Sequence, residues 1–249
     1  MSELYYYTAY GLSIKSEIMF PELISGRNYS DVTISFDSLE SFPQTNLLQN
    51  DRRIKTIQLE FDDITFLFDQ KPIFRVKKGS MIILNRDVDF NNEFLRSLVL
   101  GQGLGVLLCQ RGNLVLHANA VSINKRAIAF IGESGQGKST LSVSLTNKGY
   151  SLVADDVLLI NTEKNEIVAY PNFPRVKLGK DILKKLIINP APIRKIHPQI
   201  PKYSHFIQNN FAREPVPLNR IYILQKGLKN KIFDLDPIEA LIRLIENSY

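Results

Sequence analysis

The sequence of 249 residues contains no tryptophan, three methionines and one cysteine. Because Cys109 has no partner in the chain, an internal disulfide is excluded, and with it the class of small disulfide-stapled secreted folds. Long hydrophobic runs are also missing: the longest, from Leu98 to Cys109, is interrupted by Gln102 and three glycines and is too short to span a bilayer. The first residues lack the basic-then-apolar layout of a secretory signal. We therefore expect a soluble cytoplasmic protein with no membrane partner.

What the chain does contain is typical of a globular protein. Hydrophobic residues make up 44% of it and charged residues 22%, which argues against disordered, collagenous and low-complexity classes. The net charge of +6 is unevenly distributed, since residues 170–249 carry 14 of the 31 basic residues but only 6 of the 25 acidic ones. Such a basic region can attract polyphosphate, nucleic acid or an acidic peptide, or it can be a solubilising surface. No helix-turn-helix or zinc-finger pattern accompanies the charge, so we expect no nucleic-acid partner.

Two domains are predicted from the secondary-structure pattern. Residues 1–88 are rich in aromatic and β-branched residues with turn signals between them, which predicts a β-rich N-terminal domain. We place the boundary before residue 89. A helix is predicted from Phe90 to Cys109, and the glycines of the GxGxG pattern at 101–105 are attributed to close helix packing, because no strand precedes them. The segment 189–201, with four prolines, is predicted to be an exposed loop.

The clearest motif follows a predicted hairpin. Two β-like runs, 114–123 and 127–131, are separated by a short turn, and Asn124-Lys125 predicts a two-residue hairpin loop. The next residues match G-x-x-x-x-G-K-[ST], the P-loop, in which backbone N–H groups and a helix N-terminus cradle phosphates. A bound ATP with Mg²⁺ is the prediction. The predicted nucleotide-binding residues are Gly132, Ser134, Gly135, Gln136, Gly137, Lys138, Ser139 and Thr140.

An acidic pair and a histidine complete the candidate catalytic residues. Asp155 and Asp156 follow a predicted strand, and a strand–loop–helix–strand unit brings them to the phosphate end of the sheet. In one interpretation of these adjacent acids, one binds the metal and the other accepts a proton. In the alternative, one acid binds the metal and the other is a solvated turn residue. If the hairpin is paired as predicted, His117 lies opposite Gly132 beside the phosphate loop, where it could bond a phosphate or Asp155. A structural strand histidine is the alternative.

The stretch LVLHANAVSINKRAIAFIGESGQGKSTLSVSLTNKGYSLVADDVLLI at 114–160 resembles the catalytic region of HPr kinase/phosphorylase. The surrounding motifs YTAYGLSIKSEIMFPEL, YPNFPRVKL and EPVPLNRIYIL resemble a diverged branch that includes the precursor-peptide kinases of lasso peptide clusters. The resemblance implies an α/β fold with an HPr-kinase-like P-loop core. It also implies that Asp155 is the base, that Asp156 assists Ser139 with Mg²⁺, and that His117 supports the pair. The glutamate- and glycine-rich stretch of true HPr kinase/phosphorylase is replaced by YPNFPRVKLGK at 170–180.

The expected function is therefore transfer of the ATP γ-phosphoryl group to a serine hydroxyl, with the C-terminal serine of a lasso precursor peptide as the implied acceptor. Arg175, Lys177 and Arg213 are candidates for contacting the transferring group or an acidic peptide terminus, against the alternative that each is a surface charge. Two other functions remain open: an HPr-type kinase acting on a folded protein, and a non-catalytic NTP-binding module. Assembly into a homo-oligomer is also left open.

Overall fold

The computed structural model describes residues 3–40, 54–89, 92–163, 165–186, 194–197, 200–207, 209–229 and 231–249. The chain is a mixed α/β protein that divides into two compact units, residues 1–113 and 114–249. This division lies after the boundary predicted before residue 89, because the helical segment between the two positions packs within the first unit. Among the described residues, no helix has the length and apolarity needed to cross a bilayer.

The first unit is built on a mixed sheet of eight described strands in the order β3-β1-β2-β4-β8-β7-β6-β5. Aromatic and β-branched residues alternate between its two faces, as the sequence predicts. The strands are β1 (Tyr5–Ala9), β2 (Leu12–Ser16), β3 (Ile24–Ser25), β4 (Val32–Asp37), β5 (Ile54–Glu60), β6 (Asp63–Phe68), β7 (Lys71–Lys77) and β8 (Met81–Asn85).

The predicted helix at 90–109 is confirmed, with a change of geometry at its glycines. It runs as α1 (Asn92–Leu98), a π-helical turn (Val99–Gly103) and α2 (Leu104–Gln110). A Cβ atom on Gly103 would lie 3.2 Å from the ring of Phe74 on β7. The glycine thus lets the helix approach the sheet closely, in agreement with the packing role expected for the GxGxG pattern.

A buried ion pair in the first unit gives a stability prediction. The Nε atom of Arg96 on α1 donates to Glu22 Oε1 at 3.1 Å, and both side chains are less than a tenth exposed. Replacing Arg96 by Leu leaves the Glu22 carboxylate buried without its cation, so we expect a loss of about 3–5 kcal/mol in the free energy of unfolding. The double variant Glu22→Gln/Arg96→Leu should recover part of that loss in urea denaturation. A single variant as stable as the wild type would contradict the prediction.

The second unit holds a seven-stranded sheet in the order β12-β10-β11-β18-β14-β13-β9 and a small sheet in the order β15-β17-β16. Its strands are β9 (Leu114–Leu116), β10 (Asn119–Ile123), β11 (Arg126–Ile131), β12 (Ser151–Ala154), β13 (Leu158–Glu163), β14 (Glu166–Tyr170), β15 (Arg175–Gly179), β16 (Arg194–His197), β17 (Ile200–Phe206) and β18 (Val216–Ile223). Its helices are α3 (Lys138–Thr146), α4 (Lys180–Leu186) and α5 (Pro237–Glu246). The core of the large sheet is aliphatic, with many alanines.

The predicted hairpin is confirmed in its loop and its register. Ile123 pairs with Arg126, and Asn124 and Lys125 form the loop with positive φ angles of 51° and 62°, as a type I′ turn requires. β10 also pairs antiparallel with β12, so β11 and β12 run in the same direction with β10 between them. Their carboxyl ends therefore meet at one edge of the sheet, which places the loop after β11 near the acids after β12.

One loop prediction is corrected in part. Within the proline-containing segment 189–201, residues 194–197 belong to β16, which pairs antiparallel with β17. The backbone hydrogen bonds of this pairing override the local turn preference of the flanking prolines. Residues 189–193, 198 and 199 lie outside the described residues.

Candidate functional site

The loop between β11 and α3 is shaped by glycines. Gly132, Gly135 and Gly137 have φ angles of 133°, 88° and 101°, a backbone region that L side chains rarely adopt. Gly132 has a second constraint, because a Cβ atom there would lie 2.7 Å from the carbonyl oxygen of Leu224. The loop conformation therefore depends on the glycines that the motif supplies, and α3 begins directly after it with Lys138.

Lys138 lies against the loop that precedes it. Its Nζ atom donates hydrogen bonds to the carbonyl oxygens of Gly132 at 2.5 Å and Glu133 at 3.3 Å. The residue is only 7% exposed, and burial lowers the pKa of its ammonium group below the usual value. A cation in this position faces the same concave backbone on which a phosphate chain would lie.

The other predicted loop residues differ in exposure. Ser134 and Gly135 are exposed, whereas Gln136, Ser139 and Thr140 are partly buried. The Gln136 side chain has a buried Oε1 atom without a hydrogen-bond partner among the described residues. A polar atom buried in this way indicates a position where a bound ligand or water would supply the missing partner.

Asp155 is the centre of a buried polar cluster at the end of β12. Its Oδ1 atom accepts hydrogen bonds from Asn119 Nδ2 at 2.5 Å and from Ser139 Oγ at 3.3 Å, and its Oδ2 atom accepts from the Lys177 backbone N–H at 2.8 Å. Asn172 Nδ2 donates to the Asp155 backbone carbonyl at 3.0 Å. Three elements of the second unit, β10, α3 and β15, thus hold this carboxylate beside the first turn of α3, and Asn172 holds its backbone.

Burial and the neighbouring Asp156 raise the pKa of Asp155 to about 6, although the backbone N–H and charge of Lys177 act in the opposite direction. Asp156 behaves differently. Burial opposes its ionisation, but the charges of Lys177 and His117 outweigh that effect and hold its pKa below the usual value. The two adjacent carboxyl groups therefore have different affinities for a proton.

Asp156 points to a separate set of partners. Its Oδ2 atom forms an ion pair with Lys177 Nζ at 2.8 Å, and its backbone has a positive φ of 69°. Lys177 thus contacts both acids, Asp155 through its backbone N–H and Asp156 through its ammonium group. A non-glycine residue with positive φ at the end of a buried strand is uncommon, and such strain is found preferentially at functional sites.

His117 is held beside the loop by Asn247 and not by the pairing of the hairpin strands. The β10–β11 ladder begins at Asn119, so His117 and Gly132 are not paired with each other. Instead, Asn247, which follows α5, accepts from the His117 N–H with its backbone carbonyl at 2.7 Å and from the Gly132 N–H with Oδ1 at 3.1 Å. Burial lowers the pKa of His117, and the negative charge of Asp156 acts in the opposite direction. Of the two partners considered for His117, a phosphate or Asp155, the bond to Asp155 is absent from the described contacts, where Asn119 binds Asp155.

The three basic candidates occupy different environments. Lys177 joins the acidic pair, as described above. Arg175 is only 3% exposed and its guanidinium lies 5.1 Å from the centre of the Phe173 ring, so it is part of the interior rather than a surface charge. Arg213 is exposed and lies 5.9 Å from the centre of the Phe211 ring. Of the three, the structure brings Lys177 into direct contact with the acids.

Sequence reasoning missed three residues of this cluster. Asn119 is fully buried. In the predicted strand-like run 114–123 it lies two positions after His117, and strand periodicity would place both on one side, which is a signal that could have identified it. Asn172 and Lys202 offer no such signal, because they come from a loop and from β17. Lys202 lies close enough to affect the pKa values of Asp156, His117 and Lys138.

The cluster fits a Mg²⁺ ion that takes most of its ligands from phosphate and water. Ser139 Oγ and Asp155 Oδ1 are 3.3 Å apart, close to the spacing of about 3 Å between adjacent ligands of an octahedral Mg²⁺. Asn119 Oδ1 is buried nearby without a hydrogen-bond partner among the described residues. No group of three or more His, Cys, Asp or Glu side chains that could hold a metal occurs in the described part of the chain. Serine and one carboxylate are a common protein contribution to Mg²⁺ held with nucleotide phosphates.

The raised pKa of Asp155 gives a prediction for the pH dependence of Mg²⁺·ATP binding. Only the ionised carboxylate can serve Mg²⁺, so a proton competes with the ion below about pH 6. We expect the affinity for Mg²⁺·ATP to fall as the pH is lowered from about 8 to about 5, by up to about tenfold per pH unit below the pKa. Calorimetric titrations across this range measure it. Asp155→Asn lacks this carboxyl group but binds the same titrating nucleotide, so its affinity should fall much less with pH. Equal pH dependence of the affinity in the wild type and in Asp155→Asn would contradict the prediction.

A scan against protein-family models finds no match, and no curated protein matches the chain. Among solved structures, the chain is similar to the HPr(Ser) kinase/phosphatase from Coxiella burnetii, with 22% sequence identity and a TM-score of 0.33. The alignment covers 50% of this chain and 66% of that chain.

Proposed function

We propose that the second unit is a Mg²⁺-dependent kinase that transfers the γ-phosphoryl group of ATP to a serine hydroxyl of a peptide. The observation that carries the proposal is the contact between Ser139 Oγ and Asp155 Oδ1 at the start of α3, with Asp156 adjacent. A phosphate-binding loop, a hydroxyl and two carboxylates with different proton affinities are then within one cluster. Phosphoryl transfer requires little more than this, because positioning and charge stabilisation supply most of its catalysis.

The loop and α3 hold the triphosphate. Backbone N–H groups of the loop and the N-terminus of α3 provide the phosphate cradle, and Lys138 leaves its contacts with the Gly132 and Glu133 carbonyls to bind phosphate oxygens. A bound Mg²⁺ supplies neutralisation of charge on the phosphates. Ser139 and Asp155 would hold that ion, and Asn119 fixes both oxygens by donating to each of them.

In this proposal Asp156 accepts the proton of the serine hydroxyl that attacks the γ-phosphoryl group. It is more exposed than Asp155, lies next to His117, and its ion pair with Lys177 keeps it ionised. An ionised carboxylate here can accept a hydrogen bond from the attacking hydroxyl and then its proton. The proposal thus exchanges the roles of Asp155 and Asp156 that the family resemblance implies, because the Ser139 contact is with Asp155.

The acceptor is proposed to be the C-terminal serine of a lasso precursor peptide. The support is the resemblance of the flanking motifs and the basic surroundings of the acids. Lys177 and Lys202 lie near Asp156, within a region that carries 14 basic and 6 acidic residues. A peptide carboxylate beside the acceptor hydroxyl would be stabilised by these cations.

A competition between two acceptors tests the proposal. The protein is incubated with Mg²⁺, γ-labelled ATP, a lasso precursor peptide ending in serine and the HPr protein, and each acceptor is analysed by mass spectrometry. We expect label on the precursor serine, and amidation of its C-terminal carboxylate should weaken the reaction. Labelling of HPr alone would overturn the peptide assignment but keep the kinase. Absence of label from both acceptors, with ATP bound, would favour the non-catalytic NTP-binding module.

A further inference from the structure

A cavity of about 780 Å³ lies in the second unit at the carboxyl ends of β11 and β18. Its volume is in the range typical of small-molecule sites. β11 and β18 are parallel neighbours in which Phe130 pairs with Tyr222 and Ile131 with Ile223. In parallel α/β sheets this edge is where ligands bind. Its lining includes Phe130 of β11, Leu141 of α3, Tyr222 of β18, Leu224 and Gln225 beyond β18, and Ala240 of α5.

This cavity adjoins the phosphate loop directly. The Leu224 N–H donates to the Ile131 carbonyl at 2.9 Å, which continues the β18 backbone past the point where the loop begins. The Leu224 carbonyl is so close to Gly132 that a Cβ atom there would lie 2.7 Å from it. Leu141 lies one turn into α3, directly after Thr140, the last of the predicted nucleotide-binding residues. A ligand with its phosphates on the loop therefore has this cavity beside it.

The walls have the chemistry of a site for a flat aromatic ligand with polar edges. The Phe130 and Tyr222 rings are roughly parallel, at an interplanar angle of 23° and a centroid distance of 6.2 Å, and Tyr222 is partly exposed. Leu141, Leu224 and Ala240 add apolar surface, while Gln225, Asp234 and Glu239 supply hydrogen-bonding groups. Aromatic faces of this kind stack on bases, and carboxylates accept hydrogen bonds from ribose hydroxyls and exocyclic amines.

We propose that this cavity holds the base and ribose of the nucleotide whose phosphates lie on the loop at 132–139. The inference rests on the proposed function, since it takes the loop to be the triphosphate site. It adds a location for the nucleoside, which the loop motif does not give. The residues after β18 then determine which nucleotide is used, and the acids determine what is done with its γ-phosphoryl group.

The experiment separates the nucleoside from the phosphates. Calorimetry measures the affinity of the full chain for Mg²⁺·ATP and for Mg²⁺·tripolyphosphate, which has the phosphates but no nucleoside. Ala240→Trp fills the cavity from α5. Leu241→Trp is the matched control, because Leu241 is 58% exposed on the same helix and does not line the cavity. We expect Ala240→Trp to weaken ATP binding by about tenfold or more and to leave tripolyphosphate within about twofold, while Leu241→Trp changes neither.

Several outcomes would overturn the inference. Unchanged ATP affinity in Ala240→Trp, or wild-type affinities for ATP and tripolyphosphate that are equal, would place the nucleoside outside the cavity. If Ala240→Trp lowers the melting temperature, Tyr222→Ala provides the second test. Loss of one stacking ring should weaken ATP binding by about fivefold or more and leave tripolyphosphate binding unchanged. Tripolyphosphate that fails to bind the wild type would contradict the proposed function itself. ATP that binds through the cavity without any phosphoryl transfer would contradict only the kinase step.

Discussion

A Lys138→Met variant is expected to lose ATP binding by about a hundredfold or more, which corresponds to about 3 kcal/mol. The ammonium group lies against the Gly132 and Glu133 carbonyls, where it would meet phosphate oxygens, and a charge-assisted hydrogen bond in a partly buried site is among the strong polar interactions. Methionine keeps the length and apolar stem of the side chain but removes the charge. Calorimetry of Mg²⁺·ATP binding measures the loss.

The matched control is Lys148→Met. Lys148 is exposed shortly after the end of α3 and carries the same charge, so its removal changes the net charge equally without touching the loop. We expect its ATP affinity to stay within about twofold of the wild type, because a solvent-exposed charge this far along the helix is well screened. Equal losses of ATP affinity in the two variants would mean that Lys138 acts only through net charge. Wild-type affinity in Lys138→Met would show that the loop does not bind the phosphates.

The Asp155→Asn and Asp156→Asn variants are expected to lose different functions, one the Mg²⁺-dependent binding of ATP and the other the transfer of the phosphoryl group. We expect Asp156→Asn to keep Mg²⁺·ATP affinity within about twofold and to lower the rate of phosphoryl transfer by about 100-fold to 10,000-fold, the range typical of a lost proton acceptor. Asp155→Asn should instead lose the Mg²⁺-dependent part of ATP binding, because its Oδ1 atom is the partner of Ser139 Oγ. ATP titrations with and without Mg²⁺, together with single-turnover transfer rates, measure both effects.

The opposite pattern would contradict this division of roles. If Asp155→Asn binds Mg²⁺·ATP normally and loses transfer, while Asp156→Asn loses the metal-dependent affinity, then the roles are those that the family resemblance implies. Asn119→Ala gives an independent check, since Asn119 donates to both Asp155 and Ser139. It should follow Asp155→Asn in direction, with a smaller effect on Mg²⁺ dependence.

Local sequence signals predicted the parts of the site that short-range geometry determines. Asn124-Lys125 accommodates the positive φ angles of a two-residue hairpin loop, so both the turn and the register of β10 with β11 could be read from it. The glycine spacing at 132–137 determines the loop, and the helix after it follows from the same motif. The acids after β12 could be placed because β11 and β12 run in the same direction.

Long-range contacts explain what the sequence could not show. Asn247 binds the N–H groups of both His117 and Gly132 from far along the chain, and this contact replaces the ladder pairing that the hairpin register implied. Lys177 could be named as a basic candidate, but its contact with both acids depends on the position of β15. The division at residues 113 and 114 depends on a similar contact. The helix carrying Gly103 packs on Phe74 in the preceding sheet, and pattern alone does not tell to which neighbour a helix belongs.

Identification of the phosphorylated product separates transfer of the phosphoryl group to serine from hydrolysis of ATP. The wild-type protein and Asp156→Asn are each incubated with Mg²⁺, γ-labelled ATP and the two candidate acceptors, and phosphoserine is identified by mass spectrometry. We expect label on serine with the wild-type protein, and a loss of that label with Asp156→Asn although ATP still binds. Label released only as inorganic phosphate, or serine phosphorylation that is unchanged in Asp156→Asn, would contradict it.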